Sequence, residues 1–322
     1  MANGYVMRIL IGIIFFAFSF TALSNDNFSF AIIGDNPYSD ANFSKYGRLI
    51  DQVNSSAEIE WVIHLGDVKG GQESCSDQEL LRRFNLNQRF NAPLIVTPGD
   101  NDWLDCKREG AGGYDEYERL EYFRSIFYPN QGLSTGGRPM EVLQQSEGSE
   151  YPEFVENTLW EHESIVFAAV HIVALTEPAT DPAQKSRRDS AASAWIRNAF
   201  RVAKESDANG IFLAVQADPW ILSGPRSIAR RLCGNCVDPR PTLAWLYPIL
   251  VEESIAFDKP VMFSNGSTHV FRIDKPLYDE RNQLVENFTR LEGFGNPSVH
   301  WVSVLVEPDK PWVFSVRERL VE

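Results

Sequence analysis

Trp61-Val-Ile-His-Leu-Gly-Asp67 is an apolar run that stops on Gly-Asp, and the same ending recurs on either side of it. Upstream, Phe28-Ser-Phe-Ala-Ile-Ile-Gly-Asp35 closes in this way, and downstream so does Pro93-Leu-Ile-Val-Thr-Pro-Gly-Asp100. The three Asp residues are 32 and 33 positions apart. A strand-helix-strand unit takes roughly 30 residues or more. Each apolar run reads as a buried strand, and the segments between them, 43–53 and 77–90, read as amphipathic helices. Right-handed crossovers then lay the strands parallel and bring every Gly-Asp to one carboxyl edge of a sheet, where open α/β proteins bind ligands. Neighbouring strands lie about 4.8 Å apart. Three carboxylates therefore crowd together, and carboxylates that close share protons or hold a cation.

Strands and helices continue to alternate beyond this core. Residues 114–127 read as a helix, and 130–150, rich in Gly, Ser, Gln and Pro, as an excursion loop. Strands follow at 164–175, 210–215 and 260–263, helices at 189–205 and 242–256, and the rest is β-rich and more meander-like. The expected fold is an α/β two-sheet sandwich of mixed, largely parallel strands flanked by helices. No internal segment reads as a linker, so residues 25–322 are expected to form one domain. The 322 residues carry 43% hydrophobic and 23% charged side chains, which excludes wholesale disorder. Thirty Lys and Arg against 44 Asp and Glu give a net charge of −14. That balance argues against nucleic-acid binding, which needs a cationic face, yet leaves a phosphate ester possible where a bound cation inverts the local charge.

Residues 1–24 read as a signal peptide, the alternative being an uncleaved membrane anchor. Arg8 precedes an uncharged run from Ile9 to Phe20, and Ala22-Leu-Ser24 offers the small residues of a cleavage site. The protein is therefore expected to be exported to the periplasm or beyond, with no membrane span after cleavage. Disulfides persist there, and the four cysteines fit two bridges. Cys75 and Cys106 fall within eight residues after Asp67 and Asp100, on loops leaving neighbouring strand ends, so a bridge between them is expected. Cys233-Gly-Asn-Cys236 reads as a short loop staple, the alternative being a redox pair without a thioredoxin-like surround.

The motifs, in this order, resemble those of the calcineurin-like metallophosphoesterases. Asp35-Asn-Pro37, Gly66-Asp-Val-Lys-Gly70, Gly99-Asp-Asn-Asp102, the region around Gln216 and Gly266-Ser-Thr-His269 fall where that family has its five motifs. The departures are Pro37 and Ser267 in place of ligand imidazoles, Asp100 in place of a ligand Asn, Asn101 in place of the proton-donating His, and Gln216 or Ala217 where a lone His stands. The resemblance implies a hydrolase that cleaves a small phosphate mono- or diester with metal-activated water. Asp35, Asp67, Asp100, Gln216 and His269 would be the metal ligands, and Asn101 and Asp102 the catalytic groups. Asn36 and Lys69 would contact phosphate. Fewer imidazoles shift the preference towards Mn²⁺, Mg²⁺ or Ca²⁺ over Zn²⁺ or Fe, with one or two ions bound. The alternative is a catalytically inactive member serving as a binding or scaffold module. His64 and His171, inside apolar runs, read as buried structural residues, while Tyr38 and Trp103 read either as ring-stacking groups or as packing under the loops.

Overall fold

The structure is a computed structural model and describes Met1 and residues 26–173, 181–222 and 237–322. The segment expected to be a signal peptide and the Cys233–Cys236 pair lie outside the described residues, Met1 apart. Strands β1 (Phe28–Ile33), β2 (Ile59–His64) and β3 (Pro93–Val96) are joined by helices α1 (Asp40–Ser55) and α2 (Asp77–Asn87), as the phased Gly-Asp repeats require. After α3 (Glu116–Phe127), β4 (Thr135–Gly136) and β5 (Leu143–Gln144) form within the excursion loop. There follow β6 (Thr158–His162), β7 (Ile165–Ala169), α4 (Pro182–Glu205), β8 (Gly210–Ala214), β9 (Trp220–Leu222) and β10 (Val237–Pro239). Helix α5 (Leu246–Phe257) leads to β11 (Val261–Asn265), β12 (Arg272–Asp274), β13 (Phe288–Glu292), β14 (Trp301–Val306) and β15 (Phe314–Arg319).

Two large sheets form, ordered β15-β14-β1-β2-β3-β4 and β12-β13-β11-β8-β7-β6-β5. Their centres are parallel: β1 with β2 and β2 with β3 in the first, β7 with β8, β8 with β11 and β11 with β13 in the second. Antiparallel strands finish the edges. The tail is less of a meander than its sequence suggests, because β13 enters the second sheet parallel to β11.

Period-two alternation decides which side chains face which layer. On β1, Phe28, Phe30 and Ile32 enter the core between the sheets, while Ala31 and Ile33 face α1. Aromatic rings fill the inter-sheet core, with Phe30 stacked on Trp61 at 5.6 Å and edge-on to Phe212 at 4.9 Å. Helix α1 buries Tyr46, Leu49, Ile50 and Val53, an i, i+3, i+4, i+7 stripe, against the outer face of the first sheet. Helices α4 and α5 cover the second sheet in the same manner. This four-layer packing fixes the carboxyl ends of β1, β2, β3, β8 and β11 along one rim.

Cys75 and Cys106 are bonded, with Cα atoms 5.6 Å apart. The bridge ties the loop after Asp67 to the turns after Asp100, and both sulfurs are buried. Its 31-residue separation predicts, by loop-closure entropy, a loss of roughly 3–4 kcal/mol when both cysteines become Ser. Guanidinium unfolding of C75S/C106S checks this. A loss below about 1 kcal/mol would mean that the loops are held by their hydrogen bonds alone.

Candidate functional site

Each Gly-Asp leaves its strand through a tight turn, and the first two are left-handed. Asp35 and Asp67 have φ of 50° and 54°, and Ser267 and His269 have 80° and 63°. Non-glycine residues seldom adopt such angles, and Asp tolerates them better than most. Close approach needs glycine beside them. A Cβ on Gly99 would stand 1.9 Å from Asp67 Oδ1, and one on Gly266 would stand 2.2 Å from Asp35 Oδ2. The glycines thus let backbone amides approach the carboxylates, and the Ser267 N–H donates to both oxygens of Asp35, at 3.2 and 3.1 Å.

The side chains meet at the hydroxyl of Tyr38. Its oxygen is 3.0 Å from Asp67 Oδ2, 3.3 Å from Asp35 Oδ1 and 3.4 Å from His269 Nε2, and it accepts from Asn101 Nδ2 at 2.9 Å. Asp67 also accepts from Gln216 Nε2 at 3.0 Å and from the Asn101 N–H at 2.9 Å. His269 turns inward because its Nδ1 meets the carbonyl of Asn296 at 2.7 Å, leaving Nε2 3.4 Å from Asp35 Oδ1. Behind it, Glu292 accepts from the Thr268 N–H at 3.0 Å and from Arg272 Nε at 2.6 Å, which anchors the turn that carries His269. These groups open on a cleft of about 440 Å³ lined also by Asp100, Gln72, Arg108 and Arg240. A larger hollow of about 880 Å³, where β11 begins, is lined by Trp312 and Leu284 and lies away from this convergence.

Burial sets the electrostatics. It pushes the Asp67 carboxyl well above the usual range, and Asp100, Asp35 and Asp102 push it further. Burial likewise raises Asp100 to about 7, helped by Asp105, and Asp102 to about 6. Burial pulls the His269 imidazole down, but its contact with Asp35 outweighs this and leaves it above its ordinary value. Burial, with Asp67, Asp35 and Asp100 nearby, raises the Tyr38 phenol well above its usual value, so it stays a neutral hydroxyl.

Of the residues singled out in the sequence, Asp35, Asp67, Gln216, His269 and Asn101 come together, and Asp100 lines the cleft beside them. Three others are placed differently from expectation. Asp102, expected to assist catalysis, is fully buried, and its oxygens accept the N–H groups of Asp67, Val68 and Gly99 at 2.8–2.9 Å. It organises the loops. Asn36, expected to meet phosphate, is buried and donates to the carbonyl of Gly34 at 3.3 Å. Lys69 is also fully buried, its ammonium donating to the carbonyls of Gly70 and Glu73. Trp103 is packing: it is buried between His171, 5.6 Å away, and the guanidinium of Arg188. Tyr38 is the group whose position the sequence left open. Its one signal was its place three residues after Asp35.

A divalent-metal centre, implied by the motifs, can be tested on this donor set. An ion needs acceptor atoms at roughly 2.0–2.6 Å. Here Asp35 Oδ1, Asp67 Oδ2 and His269 Nε2 surround the phenol oxygen at hydrogen-bond distances, and Asp67 is further satisfied by two N–H donors. Among the described residues, no three of His, Cys, Asp and Glu are arranged to hold a metal ion. As the side chains stand, the two-metal centre does not fit.

Comparison with known proteins agrees with the architecture. The family model described as calcineurin-like phosphoesterase matches residues 28–221. Among curated proteins no match was found. Among solved structures, a purple acid phosphatase, PPD1, from yellow lupin (Lupinus luteus) seeds is 10% identical with a TM-score of 0.52, covering 92% of this chain and 53% of its own. This chain therefore spans about half of the lupin protein. GAP50, the anchor in the inner membrane complex of Plasmodium, is 11% identical with a TM-score of 0.48, covering 92% of this chain and 89% of its own. A 5'-nucleotidase precursor from Thermus thermophilus is 9% identical with a TM-score of 0.44, covering 92% of this chain and 54% of its own. The lupin protein shares the fold, and the family model covers more than half of the sequence: the chain belongs to the calcineurin-like phosphoesterase family.

Proposed function

We propose that the chain is a non-hydrolytic member of this family, a binding module whose cleft takes a small phosphate ester or a similar oxyanion. The observation that carries this is the closed donor set, in which the Tyr38 hydroxyl fills the point on which Asp35, Asp67 and His269 converge. The two groups expected from the motifs to assist the leaving group are not placed to do so. Asn101 offers only an amide, and Asp102 is occupied by backbone N–H groups. Arg108, paired with Asp105, and Arg240, whose Nε donates to the Asp218 carbonyl at 3.0 Å, line the cleft, and guanidinium geometry suits phosphate. The test is a panel of aryl phosphate mono- and diesters with Mn²⁺ or Mg²⁺, alongside calorimetry with phenyl phosphate. The expected result is binding, weakened by Arg108→Ala, and no turnover above the protein-free rate. Metal-dependent turnover that disappears in Asp67→Asn would overturn this reading, and the absence of both binding and turnover would overturn the ligand assignment.

A second reading, an exported phosphoesterase using one Mn²⁺, Mg²⁺ or Ca²⁺ ion, is favoured by the inward orientation of Asp35, Asp67 and His269 with Asp100 beside them. It requires the Tyr38 ring to leave the convergence point. Export itself is supported by the buried Cys75–Cys106 bridge, because disulfides persist outside the cytosol. Among the described residues no helix is long and apolar enough to cross a membrane. Mass spectrometry of the isolated protein, expected to begin at Asn25, checks the signal peptide.

A further inference from the structure

Asp35, Asp67, Asp100 and Asp102 gather beneath one cleft, and carboxyl groups so arranged need a positive centre or shared protons. One residue of this chain sits where a cation would act, and a second places a buried ammonium in the neighbouring loop. The Tyr38 oxygen occupies the convergence point itself, its one proton nearest Asp67 Oδ2, with Asp35 Oδ1 beyond it, while the oxygen accepts from Asn101, so nothing else fits there while the ring remains. Lys69 lies two residues after Asp67 and is 0% exposed. Its Nζ is fixed by the carbonyls of Gly70, at 3.3 Å, and Glu73, at 3.2 Å. Fully buried lysines are rare and persist where opposite charge surrounds them. Among the described residues Lys69 makes no ion pair within 4.0 Å; burial lowers its ammonium, and Asp102, Asp67, Glu73 and Asp105, acting from further away, oppose that.

We propose that Tyr38 and Lys69 take the place of divalent cations in this cluster. The hydroxyl stands between Asp35, Asp67 and His269 and closes the point on which they converge, and the ammonium places a buried positive charge in the loop after Asp67. The loops after β1, β2, β3 and β11 are therefore complete without a metal. This deepens the non-hydrolytic reading, and because the test reads cation binding rather than turnover, either can fail alone.

The experiment is calorimetric titration of the purified full protein with Mn²⁺, together with thermal melting in EDTA and in about 1 mM Mn²⁺. The expected result is no saturable heat up to about 1 mM and a melting shift below about 1 °C. Binding tighter than about 0.1 mM, with a rise of about 2 °C or more, would overturn the proposal. Two variants assign the roles. Tyr38→Ala opens the point and is expected to gain saturable Mn²⁺ binding; a folded Tyr38→Ala protein still blind to Mn²⁺ would overturn the assignment of Tyr38. Lys69→Met is expected to melt lower in EDTA, and adding Tyr38→Ala to it is expected to make the melting temperature depend on Mn²⁺. A Lys69→Met protein as stable as the wild type would overturn the role of Lys69. Should a variant fail to fold, the wild-type titration decides.

Discussion

Replacing Glu156 by Gln is expected to destabilise the protein by about 3–5 kcal/mol, because it leaves the buried Arg124 guanidinium with only the exposed Glu121 as counter-charge. Glu156 is fully buried and receives Arg124 at 2.9 and 2.6 Å, with His171 Nδ1 at 2.7 Å. Burial alone would push its carboxyl up, but Arg124 and His171 hold it down to about 2. The sign in pH follows. A depressed carboxyl stabilises the fold fully above its unfolded value of about 4.5, and the contribution, about 3 kcal/mol, is lost as pH falls towards 2. Burial keeps His171 neutral and lowers it to about 4. Its contribution is likewise lost as pH falls from about 6.5 through 4. Urea unfolding from pH 7 down to pH 3 is expected to show the wild type losing stability more steeply than Glu156→Gln, so the gap narrows in acid. A gap that is constant with pH would assign Glu156 a packing role only. The site would feel the change through Trp103, whose ring rests against His171 and follows directly on Asp102.

Asp102→Ala is expected to cost a comparable amount, about 3–5 kcal/mol, by a different route. The variant leaves the N–H groups of Asp67, Val68 and Gly99 buried and unpaired. Each orphaned donor costs roughly 1–3 kcal/mol, partly offset here by removing one member of a crowded acid cluster. Asp102→Asn keeps one acceptor oxygen and is expected to recover about half of the loss. Equilibrium unfolding of both variants measures the difference. If Asp102→Ala were as stable as the wild type, the loops would owe their shape to the glycine turns and the disulfide instead. A functional consequence follows from position: the N–H groups of Asp67 and Gly99 are held by one side chain, so the spacing of the second and third strand ends at the cleft depends on Asp102.

Reading the chain alone placed β1, β2, β3, α1 and α2 to within a few residues, because their signals are local. An apolar run followed by Gly-Asp and then a helical stripe is written in consecutive residues, and its spacing fixes the crossovers. The Cys75–Cys106 pairing was legible for the same reason, since both cysteines follow strand ends that the crossovers make neighbours. The parallel insertion of β13 beside β11 was not legible, because strand order among late segments depends on which edge of the second sheet remains open.

The candidate site divides along the same line. The sequence by itself determined which backbone points meet: Asp35, Asp67 and Asp100 sit at strand ends that phasing carries to one rim, and the resemblance of the motifs added His269. Only the tertiary structure decided what stands between them. The direction of a side chain over a left-handed turn, the burial of Lys69 and the seat of the Tyr38 hydroxyl depend on neighbours contributed by distant segments, the Asn296 carbonyl behind His269 and Gln216 beside Asp67 among them. Spacing along a chain sets where a Cα lies, whereas which donors fill a carboxylate's lone pairs is settled only when every layer has packed.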